Sequence, residues 1–242
     1  MFIDIETVSE TPHFDDLSDR KKYLWAAKVK SLHRGIDNEI SEDNHAKIYN
    51  EKAGIFAEFS KVVCISMGFL HFENEVPTKI RIKSISGHDE KVILEEFTSL
   101  LNLHYSDAET CRLSGHNIKE FDIPFICRRM VINQVRLPAI LDISGKKPWE
   151  TFQMMDTLEM WKFGDYKNYT SLNLLSGTLD VPSPKDDIDG SMVGNVYWHE
   201  QDLKRIVIYC QKDVVTVIQV MMRFAGLPLF EEDAIEYIEP NY

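Results

Sequence analysis

The chain begins with MFIDIET (residues 1–7), in which two acidic residues interrupt an apolar stretch. Side chains alternate between the two faces of a strand, so Ile3 and Ile5 are predicted to enter the core. Asp4 and Glu6 would then project side by side on the opposite face. Neighbouring carboxylates repel each other, and a divalent cation with oxygen ligands relieves that repulsion. The stretch therefore predicts a metal-binding strand or, alternatively, the solvated face of an edge strand.

A second acidic segment, SGHNIKEFDIP, spans residues 114–124. A strand is predicted to end in this segment and to be followed by a helix from about 122 to 133. Asp122 is a favoured helix N-cap, and Pro124 fits the first turn, where no N–H is required. A capping side chain points out of the helix end, so capping and metal binding are compatible roles for Asp122.

The last predicted helix, at about 200–225, carries an apolar stripe at helical spacing. Tyr209 and Asp213 are four residues apart, so both side chains lie on one face of the helix, at the edge of this stripe. The surface of the helix turns away from the core along that edge. The edge is therefore expected to form one wall of a cleft. A core-edge tyrosine with a solvated aspartate is the alternative interpretation of the pair.

The remaining segments predict a mixed sheet flanked by helices in a single domain. Residues 14–58 are charged and only loosely periodic, and we interpret them as a helical insertion. Alternation of apolar and charged residues over 78–86 is typical of a half-exposed strand. The other predicted elements are strands at 2–6, 61–71 and 111–115, helices at 88–103 and 170–179, and loops at 138–150 and 180–199.

The composition of the 242 residues is that of an ordinary globular protein, with 44% hydrophobic residues. No apolar stretch is long enough to span a bilayer, and the acidic start is unlike a signal peptide. The four cysteines are far apart and form no C-x-x-C pair; they are Cys64, Cys111, Cys127 and Cys210. Reduced thiols in the cytoplasm are therefore expected.

The formal net charge of −12 argues against a protein that grips a nucleic-acid backbone, since phosphate neutralisation usually requires a basic surface. Two bound divalent ions would add four positive charges and change −12 to −8. A strand end that is held by metal ions and by base stacking also needs few basic residues. We therefore expect any nucleic-acid binding to be weak and sensitive to salt.

Together, the D-x-E strand, the N-x-x-x-F-D turn and the Y-x-x-x-D helix resemble the three motifs of the DEDDy 3′→5′ exonucleases, in the same order and with similar spacing. The likeness extends to the proofreading domain of family B DNA polymerases and, more closely, to small stand-alone bacterial relatives. It includes residues 147–190 (KPWETFQ to DDIDG) and 206–215 (IVIYCQKDVV). The resemblance implies an RNase H-like α/β fold, with a central mixed five-stranded sheet, in one exonuclease domain over residues 1–242.

The same resemblance implies a metal-dependent 3′→5′ exonuclease that hydrolyses single-stranded nucleic acid from its 3′ end, DNA rather than RNA. Asp4, Glu6 and Asp213 would hold one metal ion. Asp4 would bridge to a second ion supported by Asp122, in a two-metal mechanism. Mg²⁺ is the expected ion, with Mn²⁺ as a substitute. Tyr209 would orient the attacking water, because a tyrosine pKa of about 10 makes it a poor base at neutral pH.

Candidate substrate contacts beside the acids are Thr7, Asn117 and Phe121, and those on more distant loops are Lys146, Trp149 and Lys185. Phe121 could wedge against a base or could be an ordinary buried phenylalanine. The loop with Trp149 combines positive charge with an aromatic plane, as a single-strand platform does, although a structural tryptophan is an equal alternative. Lys185 either reaches a phosphate or belongs to ordinary turn chemistry.

Two features depart from the family pattern. Only one residue precedes Phe2, which predicts a weakly anchored first strand, and the insertion at 14–58 has few matches. Ile208 stands where the other branch of the superfamily carries histidine, which excludes that branch. We assign His116 a turn or core role rather than proton transfer.

Three alternatives are a catalytically silent nucleic-acid-binding module on the same fold, an RNA-trimming exonuclease and a calcium-binding protein. The last is disfavoured, because the chain has no D-x-D-x-D-G loop with a terminal glutamate. The expected partners are the 3′ end of single-stranded DNA or RNA and a replication or repair protein, with no membrane partner.

Overall fold

The computed structural model describes residues 1–32, 42–165, 167, 169–182 and 188–238. These residues form a mixed α/β structure in which helices flank a six-stranded sheet. The strands are β1 (Phe2–Ser9), β2 (Ser60–Glu73), β3 (Val76–Ser86), β4 (Leu113–Gly115), β5 (Met154–Asp156) and β6 (Ile235–Ile238).

The strands are arranged in the order β5-β4-β1-β2-β3-β6. Strands β1, β2 and β3 form an antiparallel meander, whereas the pairs β1–β4, β4–β5 and β3–β6 are parallel. Strand β1 therefore lies in the interior of the sheet with a neighbour on each side. The edge-strand alternative for Asp4 and Glu6 is wrong for this reason.

The expected count of five strands is also wrong, because β6 extends the sheet beyond β3. Ile80–Lys83 of β3 pair with Ile235–Ile238 of β6. Strand β6 has four residues, and most of its side chains are exposed. A segment of four residues is at the lower limit of the runs by which a strand is predicted from sequence. Strand β5, with three residues, is shorter still.

Helices pack on both faces of this sheet. They are α1 (Asp19–Leu32), α2 (Glu42–Lys52), α3 (Glu90–His104), α4 (Asp122–Ile132), α5 (Thr157–Lys162), α6 (Leu172–Thr178), α7 (Val193–Asn195) and α8 (Leu203–Phe224). The predicted helices are confirmed within a few residues, with α3, α4, α6 and α8 at the positions predicted as 88–103, 122–133, 170–179 and 200–225.

The predicted loop at 180–199 is wrong in part, because α7 and a π-helical turn, Val196–Glu200, occupy its C-terminal end. A π-helical turn has no distinctive sequence pattern, so hydrophobic periodicity does not reveal it. Across the described ranges, no helix has both the length and the apolar character needed to cross a membrane.

Strand β1 is anchored from its first residue. The Met1 amino group donates to Arg112 O (3.0 Å), and the Ser114 N–H donates to Met1 O (2.8 Å). Phe2 pairs with Gly68 of β2 on one side and with Ser114 of β4 on the other. The weak anchoring expected from the short lead-in is therefore not observed.

Apolar side chains cover both faces of β1 and its neighbours. Ile3 and Ile5 pack into a core beneath α3 and α4, as predicted. Helix α8 packs on the opposite face through Val214 and Ile218. The close approach of this helix explains Gly68, because a Cβ atom there would lie 2.7 Å from each of those two side chains.

The described residues of the insertion at 14–58 have a small core of their own around Trp25, which is fully buried. The Trp25 indole N–H donates to His45 O (3.0 Å). Its ring packs edge-on against Tyr49 and Phe59, with centroid distances of 5.3 and 5.0 Å. Helices α1 and α2 are joined through this core.

A buried ion pair connects the insertion to the sheet and to two helices. Arg129 of α4 donates to the Glu90 carboxylate through Nε (2.8 Å) and Nη2 (2.5 Å), and to Ala57 O through Nη1 (2.7 Å). Glu90 also accepts from the Val62 N–H and from Asn133 Nδ2, both at 2.7 Å. Bidentate pairs of this kind fix geometry as well as charge.

We predict that Arg129→Met lowers the free energy of unfolding by about 3–5 kcal/mol, because it leaves the Glu90 carboxylate buried without its cation. Urea unfolding curves measure this change. Arg128→Met is the matched control, since Arg128 is the exposed neighbour and should change stability by less than about 0.5 kcal/mol. Equal stabilities for the two variants would contradict the prediction.

Candidate active site

Four acidic side chains converge beside the sheet. Asp4 and Glu6 lie on β1, Asp122 begins α4, and Asp213 lies on α8. The pKa of Asp4 is raised well above its usual range, first by burial and then by the charges of the other three acids. Burial also raises the pKa of Glu6, with further contributions from Asp213 and Asp122. Charge effects of this kind act between nearby groups, so the four carboxylates lie near one another.

The pairing of β1 with β2 shifts register beside Glu6. Glu6 pairs with Cys64 of β2, whereas Thr7 pairs with Val62, so Val63 of β2 is the extra residue of a β-bulge. Bulges bend the strand that carries them, and they are common beside active sites. The Glu6 side chain ends up 8% exposed.

Asp122 joins the cleft from the first residue of α4. Phe121 occupies the N-cap position, so the predicted N-cap role of Asp122 is wrong by one residue. Burial raises the pKa of Asp122 to about 7, while hydrogen bonds from the backbone of Asp122 and Ile5 oppose that rise. The bond from Ile5 ties this carboxylate directly to β1.

Helix α8 contributes three side chains to the site. Tyr209 hydrogen-bonds Asp213, as their four-residue spacing predicts. Burial raises the Tyr209 pKa, and the charges of Asp213, Glu6 and Asp4 raise it further, so the phenol stays protonated. The Cys210 thiol lies 3.3 Å from Asp4 Oδ2. Sequence reasoning treated Cys210 only as a buried thiol, although its position three residues before Asp213 places it on the same side of the helix.

The donor set fits a divalent metal ion. Carboxylate oxygens of Asp4 and Glu6 and the Cys210 sulfur all lie within 4.8 Å of one another. Glu6 is largely buried, and the charges of Asp213 and Asp122 add to the rise of its pKa. A cation among these acids would offset that repulsion. Carboxylates are the ligands that Mg²⁺ prefers.

Asp156 supports the site from β5 and is a residue that sequence reasoning missed. Its carboxylate accepts hydrogen bonds from the backbone N–H groups of Asn117 (2.9 Å), Lys119 (3.1 Å), Leu158 (2.9 Å) and Glu159 (3.4 Å). It thereby caps α5 and fixes the turn before Asp122, in which Asn117 has a φ of 61°. The sequence signal that could have revealed Asp156 is its D-x-x-E spacing to Glu159, which is typical of a helix N-terminus.

The predicted substrate contacts lie around two different cavities. Thr7 and Phe121 line the first, of about 390 Å³, together with Glu6. Asn117 and Lys146 line the second, of about 340 Å³. Trp149 lines neither of these cavities: it is 75% exposed, with the Lys147 ammonium 5.2 Å from the centre of one of its rings. Lys185 lies outside the described residues, and the substrate roles of all six residues stay predictions.

His116 connects the turn before Asp122 to the segment that precedes α6. Its Nε2–H donates to Thr170 O (2.9 Å), because a carbonyl oxygen can only accept, and its Nδ1 lies 2.9 Å from Thr157 Oγ1. Burial lowers the His116 pKa. These hydrogen bonds give the imidazole a structural role in the turn. The sequence favoured such a role over proton transfer.

Carboxylates gathered from a strand and two helices are the kind of ligand set that metal-assisted hydrolases use. Residues 55–232 match a family described as a predicted 3′-5′ exonuclease related to the exonuclease domain of PolB, and the chain belongs to this family. A search of curated proteins finds no significant match. The matched range includes Asp122 and Asp213 but not Asp4 and Glu6, so geometry alone assigns the latter two to the cleft.

Family membership supports a nuclease function for this cleft. Exonuclease domains of this kind use divalent metals, and the acidic cluster at β1 is where this chain could hold one.

We predict that His116→Gln gains stability relative to the wild type as pH drops from about 7.5 to about 5. The folded-state pKa of His116 lies below the unfolded value of about 6.5, so at this residue the unfolded chain binds more protons and its contribution to stability falls with pH. Glutamine does not titrate, so the variant lacks this loss and keeps the opposite contribution of the buried acids, whose pKa values are raised. Unfolding free energies at several pH values test this, with the exposed His104→Gln as control. An unchanged pH slope in His116→Gln would contradict the prediction.

Proposed function

We propose that the protein is a two-metal-ion 3′→5′ exonuclease with an RNase H-like fold that acts on single-stranded DNA. The observation that carries the proposal is the convergence of four carboxylates in one cleft of a chain that belongs to an exonuclease family. The family relationship and the mixed sheet with helices on both faces support the RNase H-like assignment.

The residues of the cleft divide into two ligand sets under this proposal. Asp4, Glu6 and Asp213 would hold one ion, and Asp4 and Asp122 would hold the second. When bound, two Mg²⁺ ions, or Mn²⁺ in their place, would stabilise the attacking water and the leaving 3′-oxygen of an in-line displacement. The Cys210 thiol lies 3.5 Å from Asp4 O and 3.3 Å from Asp4 Oδ2, and it restricts the orientation of the carboxylate that would serve both ligand sets.

Tyr209 serves as a hydrogen-bond donor rather than a base. Its raised pKa keeps the phenol neutral, and its hydrogen bond to Asp213 holds the ring at the edge of the cleft. A neutral phenol can orient a water molecule but cannot remove a proton from it at neutral pH. We therefore assign Tyr209 to positioning of the nucleophile.

The substrate would be held by its end rather than along its backbone. The net charge of −12 disfavours extensive phosphate contacts, so binding along the backbone should be weak. DNA is the proposed substrate, with RNA as the alternative, and the partner would be a separate replication or repair protein. The four free cysteines suit a reducing compartment such as the cytoplasm. A catalytically silent module is disfavoured, because all four acids and Tyr209 are retained.

We predict that wild-type protein shortens 5′-labelled single-stranded DNA from its 3′ end in Mg²⁺ or Mn²⁺, with RNA shortened more slowly. Asp4→Asn should lower the rate by more than about 100-fold, since even groups that only support a metal ligand typically contribute 10–100-fold. Glu96→Gln on the exposed face of α3 is the charge-matched control and should retain wild-type activity. Hydrolysis by Asp4→Asn at the wild-type rate would refute the ligand assignment.

Melting temperatures of the same two variants distinguish a loss of catalytic activity from a loss of folded structure. Without metal, Asp4→Asn should melt at a higher temperature than wild type, because one of the mutually repelling buried carboxylates is gone. Added Mg²⁺ should raise the melting temperature of the wild type and of Glu96→Gln by more than that of Asp4→Asn.

We predict that Tyr209→Phe slows hydrolysis by roughly 10–100-fold, the range typical of groups that orient the partners of a metal site. The apparent Mg²⁺ affinity should stay nearly that of the wild type, because the phenol is a donor and not a ligand. Titration of activity with Mg²⁺ gives both quantities. A large loss of Mg²⁺ affinity would instead place the tyrosine oxygen among the ligands.

A further inference from the structure

Two free cysteine thiols lie directly behind the carboxylates of β1. Cys64 is on β2, opposite Glu6 in the pairing of the two strands, and Cys210 is on α8. Residues that are paired across two antiparallel strands share one face of the sheet, so Cys64 points to the same side as Glu6. Both cysteines are fully buried. The proposed two-metal mechanism uses neither thiol as a ligand.

The Cys210 thiol links the acids to Cys64. It donates to Asp4 Oδ2 (3.3 Å). Burial raises the pKa of the Cys210 thiol, and its hydrogen bond with Cys64 raises it further. The Cys64 thiol in turn adds to the raised pKa of Glu6, after burial and the charge of Asp213. Two sulfurs and the two carboxylates of β1 are therefore mutual neighbours.

A chain of hydrogen bonds approaches Cys64 from the side away from the acids. Gln211 Nε2 donates to Ser84 Oγ (3.0 Å), which lies 2.9 Å from Ser66 Oγ. Ser66 Oγ lies 3.6 Å from Cys64 Sγ. An amide N–H can only donate, so both hydroxyl hydrogens find acceptors among the described residues only if Ser84 donates to Ser66 and Ser66 donates to the sulfur. A hydroxyl donor behind a sulfur supports that sulfur as a metal ligand.

The spacing of the donors suits one tetrahedral metal ion. Zn²⁺ binds sulfur at about 2.3 Å and carboxylate oxygen at about 2.0 Å, so a sulfur and an oxygen on one tetrahedral ion lie about 3.5 Å apart. The separation of Cys210 Sγ and Asp4 Oδ2 is 3.3 Å. A Glu6 oxygen lies within 4.8 Å of the same sulfur and of an Asp4 oxygen. These donors can therefore close around one ion with small movements of their side chains.

The donor types favour a softer ion than Mg²⁺. Thiolates select Zn²⁺ and similar soft ions, whereas Mg²⁺ prefers oxygen ligands in an octahedral arrangement. Two sulfurs with two carboxylates supply the four ligands that tetrahedral Zn²⁺ takes. Thiols bind as thiolates, so two protons pass to the solvent as the ion enters. Glu6 lines the first cavity, which gives the ion a route from the solvent.

We propose a site for a soft divalent cation of the Zn²⁺ class beneath the cleft, with the ligands Asp4, Glu6, Cys64 and Cys210. The site shares both carboxylates of β1 with the proposed catalytic ions, so Zn²⁺ bound there excludes Mg²⁺ and inhibits hydrolysis. It uses neither Asp122 nor Asp213. The inhibition rests on the proposed exonuclease function, whereas the binding of the soft ion does not.

Ultraviolet absorption during titration with CdCl₂ tests the site without reference to hydrolysis, because each bond between Cd²⁺ and a thiolate adds charge-transfer absorbance. Reduced, metal-free wild type should gain this absorbance up to one ion per chain. Cys64→Ser and Cys210→Ser should each keep about half of it or less, since one of the two sulfur ligands is gone. The double variant should show none. Cys64→Ala and Cys210→Ala provide the same test where a buried serine prevents cooperative melting.

Two further variants distinguish this site from other thiols and from the catalytic positions. Cys127→Ser removes a partly buried thiol that donates to Leu141 O (3.3 Å), and it should keep the wild-type absorbance. Asp122→Asn removes a ligand of the proposed second catalytic ion and should keep the absorbance as well. Wild-type absorbance in the double cysteine variant, or its loss in Asp122→Asn, would overturn the proposal.

Hydrolysis in Mg²⁺ with added Zn²⁺ tests the inhibition, with each variant compared with its own rate in Mg²⁺ alone. Zn²⁺ should inhibit the wild type and Cys127→Ser at the same concentration, and a chelator should restore the rate. Cys210→Ser should need at least about 10-fold more Zn²⁺ for the same fractional inhibition, because a ligand is missing. Equal sensitivity of all three proteins would overturn the inhibition. If the wild type hydrolyses no strand, the proposed function fails and the CdCl₂ titration alone decides whether the site exists.

Discussion

The mutual repulsion of carboxylates on an interior strand is the constraint on which this structure depends. Asp4 and Glu6 project from β1, which has a hydrogen-bonded neighbour on each side, and Asp122 and Asp213 approach from two helices. Burial and like charge raise the pKa of each acid on β1. An arrangement of this kind is stable only where surrounding contacts over-determine it or where a cation neutralises it.

The surrounding contacts are correspondingly dense. The chain start is bonded to β4, Asp156 holds the turn before Asp122 with backbone hydrogen bonds, and α8 packs closely enough on β2 to require Gly68. The bidentate pair of Arg129 and Glu90 ties the insertion to the same scaffold. Carboxylates that repel each other are thus held in place by elements that pack well. A strained site is maintained in a stable domain in this way.

Local sequence patterns predicted those parts of the site whose residues follow the regular spacing of a strand or a helix. Strand periodicity placed Asp4 and Glu6 on one face, and four-residue spacing placed Tyr209 with Asp213. Features that depend on tertiary contacts were not predictable: β6 is held by pairing with β3, the π-helical turn has no periodic pattern, and the contact of Cys210 with Asp4 joins residues far apart in sequence. The first cavity escaped prediction for the same reason, because its walls come from four separate segments of the chain.

The central claim is that the four carboxylates form a divalent-metal site, and anomalous X-ray diffraction from crystals soaked in Mn²⁺ tests it most directly. We predict two anomalous peaks about 3.5–4 Å apart, one between Asp4, Glu6 and Asp213 and the other between Asp4 and Asp122. A single peak among these acids would remove the second ion from the mechanism. Well-diffracting crystals with no Mn²⁺ peak in the cleft would contradict the claim itself.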